Sequence, residues 1–243
     1  MEKSDIADLL DTAKTIVYAI AIAILVRTFA YEPFNIPSGS MKPTLLVGDY
    51  LFVSKMSYGY SSHSLPFSLP IIPGRILYES PKQGDVFVFK TPADNKTDFI
   101  KRVIGLPGDS VQMKNGRLHI NGKALERKRI DDFIERDSSG SVRRTPQFTE
   151  TLPNGVKHPI LESDGDTGYY DNTGVFKVPE GHFFAMGDNR DNSSDSRVFG
   201  FVPKENLVGR AEFMFFSIAN ARPWEIWQWP GNLRSERIFE SVE

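Results

Sequence analysis

The chain has 243 residues, 40% of them hydrophobic and 25% charged, with a formal net charge of −2. That length supports one large domain or two small ones around an apolar core, and the near-balanced charge argues against a nucleic-acid partner. There is no cysteine, which excludes disulfides, a thiolate nucleophile and thiolate metal sites. The four histidines (His63, His119, His158 and His182) are scattered, and no pair has metal-ligand spacing. Neither a metal nor a cofactor is expected.

In chain order, the first predicted element is a helix. Thr15 to Val26 is apolar without interruption. Alone it spans only about 18 Å, against about 30 Å of bilayer hydrocarbon. Lys14 and Arg27 bound it and can snorkel, and the stretch between Asp11 and Glu32 gives about 30 Å of helix before Pro33 stops it. A single uncleaved membrane anchor is the leading reading. A cleaved signal peptide is a rival, with Thr28-Phe29-Ala30 as its small-x-small site. Arg27 beside that site, and Glu2, Asp5, Asp8 and Asp11 ahead of the apolar run, weigh against it. A buried core helix is the third reading. Lys3 and Lys14 barely outnumber Arg27, so flanking charge says little about orientation.

Strands follow. Residues 48–55 (GDYLFVSK), 84–90 (GDVFVFK) and 108–114 (GDSVQMK) each open on a Gly-Asp turn pair and continue as a β-rich run. Asn121-Gly122 within 117–125 signals a hairpin. Residues 175–189 read as strand, turn, strand, and 206–218 as a long strand or a bent pair. Residues 126–147 are strongly charged and 163–174 are rich in turn formers. This polar middle, 109–175, reads as an inserted β-rich or loop subdomain. The flanks 31–108 and 176–243 would form one core domain, after an N-terminal tail and anchor at 1–30. The predicted class is mainly β and antiparallel, with little helix beyond the anchor.

Three stretches carry candidate chemistry. Ile36 to Leu45 (IPSGSMKPTL) sets two serines either side of a glycine, braced by prolines. A serine needs a base, since its hydroxyl is a weak nucleophile at its free pKa. His182 lies near a polar motif, but no Asp-x-His or Gly-x-Ser-x-Gly pattern supports a triad. A lysine can replace histidine only if its pKa falls, because at pH 7 an ordinary lysine is neutral in well under about 1% of molecules. In DFIKRVIGLPGD (98–109), strand alternation puts Phe99, Lys101 and Val103 on one face, and Ile100, Arg102 and Ile104 on the other. From these residues alone, Lys101 reads either as a buried base or as a snorkelling edge lysine. Gly187 to Arg197 (GDNRDNSSDSR) interleaves opposite charges. It reads as a solvated loop, a cation-binding loop or a self-satisfied polar network; its aspartate spacing does not match an EF-hand, and the interleaved charges favour the network over a metal site.

PSGSMKPTL, DFIKRVIGLPGD and MGDNRDNSSDSRVFGFVP, in that order and behind an anchor with a YEPFNIP exit, resemble the signature boxes of the bacterial type I signal peptidases. These are Ser-Lys dyad serine endopeptidases, also called leader peptidases. The resemblance covers 31–108 and 176–233 well and the inserted region poorly. It implies an antiparallel β catalytic core of the signal peptidase/repressor-protease kind behind a single transmembrane helix. It implies Ser40 as nucleophile, neutral Lys101 as general base, and Ser193 as the residue that orients the lysine. Ser38 Oγ would form the oxyanion hole with the Ser40 amide. Arg102 with Asp188, and Asp195 with Arg197, would be structural ion pairs. Phe34, Ile36, Pro37, Met41, Leu45, Phe99 and Ile100 would line shallow pockets for small side chains. The implied substrates are exported preproteins with signal peptides, cut after small-x-small sites such as Ala-x-Ala. Their chain would add to a sheet edge.

The same resemblance implies a bacterial inner membrane protein, single-pass, with a cytoplasmic N-terminus, the catalytic domain on the outer (periplasmic) face, and proximity to the secretion translocon. Trp224, Trp227 and Trp229, near Phe215 and Phe216, and the apolar loop 64–74 read either as core packing or as groups dipping into the bilayer surface. This chain departs from some relatives in having one anchor and no disulfide, and in Ser194 beside the implied pocket. Two other readings stand beside this one. A self-cleaving Ser-Lys regulator would need a DNA-binding helix-turn-helix where the membrane segment lies. A non-catalytic anchored β module would merely bind exported chains.

Overall fold

The computed structural model describes residues 3–65, 68–69, 71–136 and 141–242. It opens with helix α1, Lys3–Phe29. The Leu10–Phe29 stretch has a mean hydropathy of 1.6 and is exposed along nearly all its length. A helix with that surface is not a core helix; it is long and apolar enough to cross a bilayer. Its end is tied to the domain that follows. Arg27 Nε and Nη2 donate to Glu32 Oε1 at 2.8 and 2.6 Å. Glu32 also pairs at 2.8 Å with the buried Lys55. Tyr60 Oη donates to the Phe29 carbonyl at 2.7 Å.

The strands in chain order are β1 (Tyr31–Asn35), β2 (Asp49–Ser54), β3 (Tyr60–Ser61), β4 (Arg75–Ile76), β5 (Val86–Lys90) and β6 (Asp98–Gly105). Then come β7 (Ser110–Lys114), β8 (Arg117–Ile120), β9 (Lys123–Ala124), β10 (Glu126–Arg129), β11 (Phe133–Arg136) and β12 (Val142–Thr145). The chain continues through β13 (Gln147–Thr151), β14 (Lys157–Leu161), β15 (Phe176–Lys177) and β16 (His182–Met186). After the short helix α2 (Ser196–Phe199) lie β17 (Val202–Pro203) and β18 (Leu207–Ser217).

Seven strands, ordered β1-β2-β18-β5-β6-β16-β17, form one antiparallel sheet drawn from both flanks of the polar middle. Each face has its own core, so neighbours such as Phe87 and Val88 are both buried, in different clusters. One face packs Met41, Leu45, Leu51, Val53, Val88 and Met214. The other packs Tyr58, Phe87, Phe89, Val103, Phe183 and Leu207. The segment read as a long strand or a bent pair is the single strand β18, whose register against β2 shifts twice, between Ala211 and Phe213 and between Met214 and Phe216. Such bulges bend a strand and let the sheet curl.

The polar middle forms smaller antiparallel sheets: β10-β13-β14, the pair β11-β12, and β15-β7-β8-β9. Phe176 and Lys177 pair with Val111 and Ser110 rather than with the large sheet, so the polar region's own pairing runs just past residue 175. Asn121-Gly122 forms a turn with both residues at positive φ, 54° and 77°, where Asn and Gly are least strained.

Candidate active site

The segment after β1 turns inward at Ile36, which is 3% exposed. This turn carries Ser38 and Ser40 over the N-terminal half of β6. The loop after β16 holds it there. The backbone amide of Asn189 donates to the Ser40 carbonyl at 3.1 Å, and Asn189 Nδ2 to the Gly39 carbonyl at 3.0 Å. Gly187, at the end of β16, leaves the room for this approach. A Cβ there would lie 2.3 Å from Ser193 Oγ and 2.5 Å from the Ser40 carbonyl oxygen.

Lys101 is 4% exposed, and its Nζ lies 2.6 Å from Ser40 Oγ, donating to it. Phe87 faces it from the neighbouring strand and the Phe99 ring centroid is 5.5 Å from Nζ. Burial among these groups pushes the ammonium down to about 8, while Asp195 and Asp188 pull the other way. At pH 7 that leaves about a tenth of the molecules with a neutral amine. With the amine neutral, the hydroxyl becomes the donor in the same contact. Snorkelling is therefore not what this side chain does.

Arg102, next along the strand, points to the opposite face and is fully buried. Its Nε and Nη2 donate to the two Asp188 oxygens at 2.9 and 2.8 Å, and its Nη1 to the Gly84 carbonyl at 2.8 Å. Thr44 Oγ1 also donates to Asp188, at 2.5 Å. Asp195 caps α2 by accepting from the Arg197 amide at 3.1 Å, and takes Arg197 Nε and Nη2 at 2.9 Å each. Both Asp188 and Asp195 are held below the usual carboxylate range, as hydrogen bonds and the arginines outweigh burial. Arg190 of the same loop reaches into the polar region and donates to both oxygens of the buried Glu150, beside His158. The sequence reading missed Glu150, His158 and the Asn189 clamp. Their partners lie far apart in the chain, with no spacing to mark them.

Other expected roles fare differently. Ser38 Oγ lies 3.5 Å from Ser40 Oγ, on the rim. Ser193 is 5% exposed, but its Oγ has no hydrogen-bond partner among the described residues, so it does not hydrogen-bond Lys101. A cleft of about 610 Å³ runs from Ser40 and Lys101 between the β1 exit and β6. Phe34, Ile36, Pro37, Phe99 and Ile100 line it, as expected, and Ser194 joins them. Met41 and Leu45 do not: both are fully buried in the core beneath, because the turn that presents Ser40 aims the next apolar residues inward. Trp224 and Trp227 are 66% and 71% exposed, so core packing does not explain them. Trp229 packs on Phe216 with ring centroids 5.1 Å apart. In the apolar loop 64–74, Pro66, Phe67 and Pro70 lie outside the described residues, while Ile71 is strongly exposed.

A serine hydroxyl against a buried lysine, at the head of an apolar cleft bordered by strand edges, is the kind of site a serine-type peptidase uses. The comparisons agree. The pattern of the signal peptidase family, peptidase S26, matches residues 9–216, and the chain belongs to that family. A signal peptidase I from Rickettsia typhi is 44% identical over 252 residues, spanning 93% of this chain and 90% of that protein. One from Rickettsia canadensis is 45% identical over 213 residues, 84% of this chain and 78% of that protein. A crystal structure of a signal peptidase I from Enterococcus faecalis covers 54% of this chain and 97% of its own, at 26% identity and a TM-score of 0.32, too low to bear on the fold. The protein is thus a serine-type endopeptidase that removes signal peptides from preproteins, and its apolar α1 fits membrane anchoring.

Proposed function

We propose that Ser40 attacks the scissile carbonyl while neutral Lys101 takes its proton, cutting exported preproteins after small-x-small sites. The 2.6 Å contact between Lys101 Nζ and Ser40 Oγ carries this reading. The protonated Lys101 returns the proton to the leaving amine, and its free base then activates the water that releases the acyl-enzyme. Ser38 Oγ and the Ser40 amide would hold the oxyanion, and Ser193 would steady the lysine once substrate closes the site. β6 pairs with β5 along Asp98–Arg102 but with β16 only from Arg102 onward, so its first half offers one unpaired edge to a substrate strand. The cleft between that edge and β1 is narrow and apolar, which suits small residues at P1 and P3. The bilayer, met through α1 and the exposed tryptophans, would bring the cleavage site to the cleft. The N-terminus would be cytoplasmic and the β domain on the outer face, near the translocon.

Ser40→Ala and Lys101→Ala, each assayed on an Ala-x-Ala preprotein, test the dyad. Both should abolish cleavage with melting temperature retained, and cleavage at the parent rate by either would overturn the assignment. Protease added to spheroplasts tests the orientation: a β domain that survives it would place the domain inside.

A further inference from the structure

The turn-rich stretch 163–174 plays no part in the catalytic reading, yet it folds back against the loop that carries Ser193. It brings three carboxylates together: Glu162, Asp171 and Asp191 each offer an oxygen, and all three atoms lie within 4.8 Å of one another. Glu162 and Asp171 are 1% and 0% exposed.

One observation points from this cluster to a ligand: Glu162 Oε2 and Asp171 Oδ1 are fully buried and have no hydrogen-bond partner among the described residues, although the other oxygen of each is engaged. Arg127 Nη1 donates to Glu162 Oε1 at 3.2 Å and the Gly168 amide to Asp171 Oδ2 at 2.5 Å. Buried carboxylate oxygens left unpaired are costly, and proteins keep them where something else fills the gap. Gly168 shows how closely the cluster is packed. Its φ is −65°, open to any residue, so backbone strain does not demand glycine. Space does: a Cβ there would lie 2.6 Å from Asp191 Oδ1 and 3.2 Å from Asp171 Oδ2. Glycine thus lets both carboxylates pack against the backbone of the turn, where the Gly168 amide already engages Asp171 Oδ2.

We propose that Glu162, Asp171 and Asp191 form a binding site for a hard divalent cation of the Ca²⁺ class. Oxygen ligands around Ca²⁺ sit at about 2.3–2.6 Å, so two on opposite sides are about 5 Å apart, which fits this cluster. An all-carboxylate site, without histidine or cysteine, favours Ca²⁺ or Mg²⁺ over zinc. Arg127 meets the cluster through Glu162 Oε1 and shares its guanidinium with Asp166, to which its Nη2 donates at 2.5 Å, while Arg190 and Arg197 lie near enough to offset part of the remaining charge. The cation would staple the 162–171 turn to the loop after β16 through Asp191, two residues from Ser193. The sequence offered a cation-binding loop at 187–197, which contains Asp191, but Glu162 and Asp171 come from a separate segment that no spacing ties to it.

The test uses the full chain in detergent micelles and needs no activity readout, so it is independent of the Ser40–Lys101 assignment. Melting is followed after EDTA treatment, with and without Ca²⁺ or Mg²⁺. A saturable rise is expected, roughly 5 °C or more at a hundredfold excess over Kd. Tb³⁺ should bind at one site per chain, with luminescence sensitised by the neighbouring Tyr169 and Tyr170 and displaced by Ca²⁺. Glu162→Gln with Asp171→Asn should remove both signals; if that variant does not fold, Asp191→Asn serves for the Tb³⁺ measurement. No shift and no Tb³⁺ signal would overturn the site, leaving a proton shared between Glu162 and Asp171 as its content. A shift that survives the substitutions would overturn it too.

Discussion

Lys101 and Arg102 are consecutive cations with opposite fates, and the difference is chemical as well as positional. Arg102 meets a carboxylate in bidentate geometry. Lys101 meets aromatic rings and a hydroxyl, and burial pushes it down to about 8. If the neutral amine is the base, kcat/KM should climb with pH through about 8 and level off above it. The free enzyme's pH–rate profile checks this, and a rising limb near pH 10 would contradict it. Ser193 gives a second residue-scale prediction. Its hydroxyl is buried without a partner, so Ser193→Ala relieves an unpaired polar atom and should leave thermal stability unchanged or slightly higher. If it steadies the lysine during turnover, kcat should nonetheless fall roughly tenfold or more, with the rising limb displaced. A drop in stability with kcat unchanged would reverse the assignment.

The elements that hold these residues differ in how far the chain itself announces them. Strands that open on Gly-Asp and run into Val and Phe are plain, because turn chemistry and β propensity agree there. So are the two faces of β6, because alternation needs only a strand. Whether Lys101 is buried depends on β5 supplying Phe87 across from it and on the 36–40 turn arriving above it, and no local pattern encodes either. The resemblance to signal peptidases supplied what periodicity left open. It also placed Met41 and Leu45 in the pocket, where the turn geometry buries them instead. The charged strands β10 to β12 were legible only as polar texture, since their exposed faces carry no apolar alternation. Two predictions belong at this scale. Gly187→Ala should abolish turnover, because its methyl would displace Ser193 Oγ or the Ser40 carbonyl; cleavage near the parent rate would show that the loop yields. Arg102→Ala should cost about 3–5 kcal/mol, read from denaturant unfolding, since it strands a buried Asp188 that retains only Thr44.

Across the whole molecule, apolar surface collects on one helix and a few rims. Helix α1 exposes Leu, Ile and Val along its length, and Trp224, Ile226 and Trp227 are exposed on the domain. Such side chains add nothing to the core, so Trp224→Ala with Trp227→Ala should leave the melting temperature within about 1–2 °C of the parent. The same pair should weaken binding of the domain to lipid vesicles, measured by co-sedimentation. Binding at the parent level would mean that these tryptophans are not what holds the domain to the bilayer.

The two faces of β6 also set a condition on fidelity. Strand pairing has a period of two, so a slip of one residue against β5 would put either Arg102 or Ile100 where Lys101 sits. In the first case a guanidinium, which does not lose its proton at working pH, would lie under Ser40; in the second an apolar side chain would lie there, and the ammonium would face Asp188 without the fork that fills both oxygens. The misregistered chain would keep its composition, its strand and much of its apolar content, yet carry no base. Proofreading of that register falls to the Arg102–Asp188 fork, which closes only when β6 is threaded correctly. The ion pair on the dark side of the sheet thus certifies the nucleophile's partner on the other.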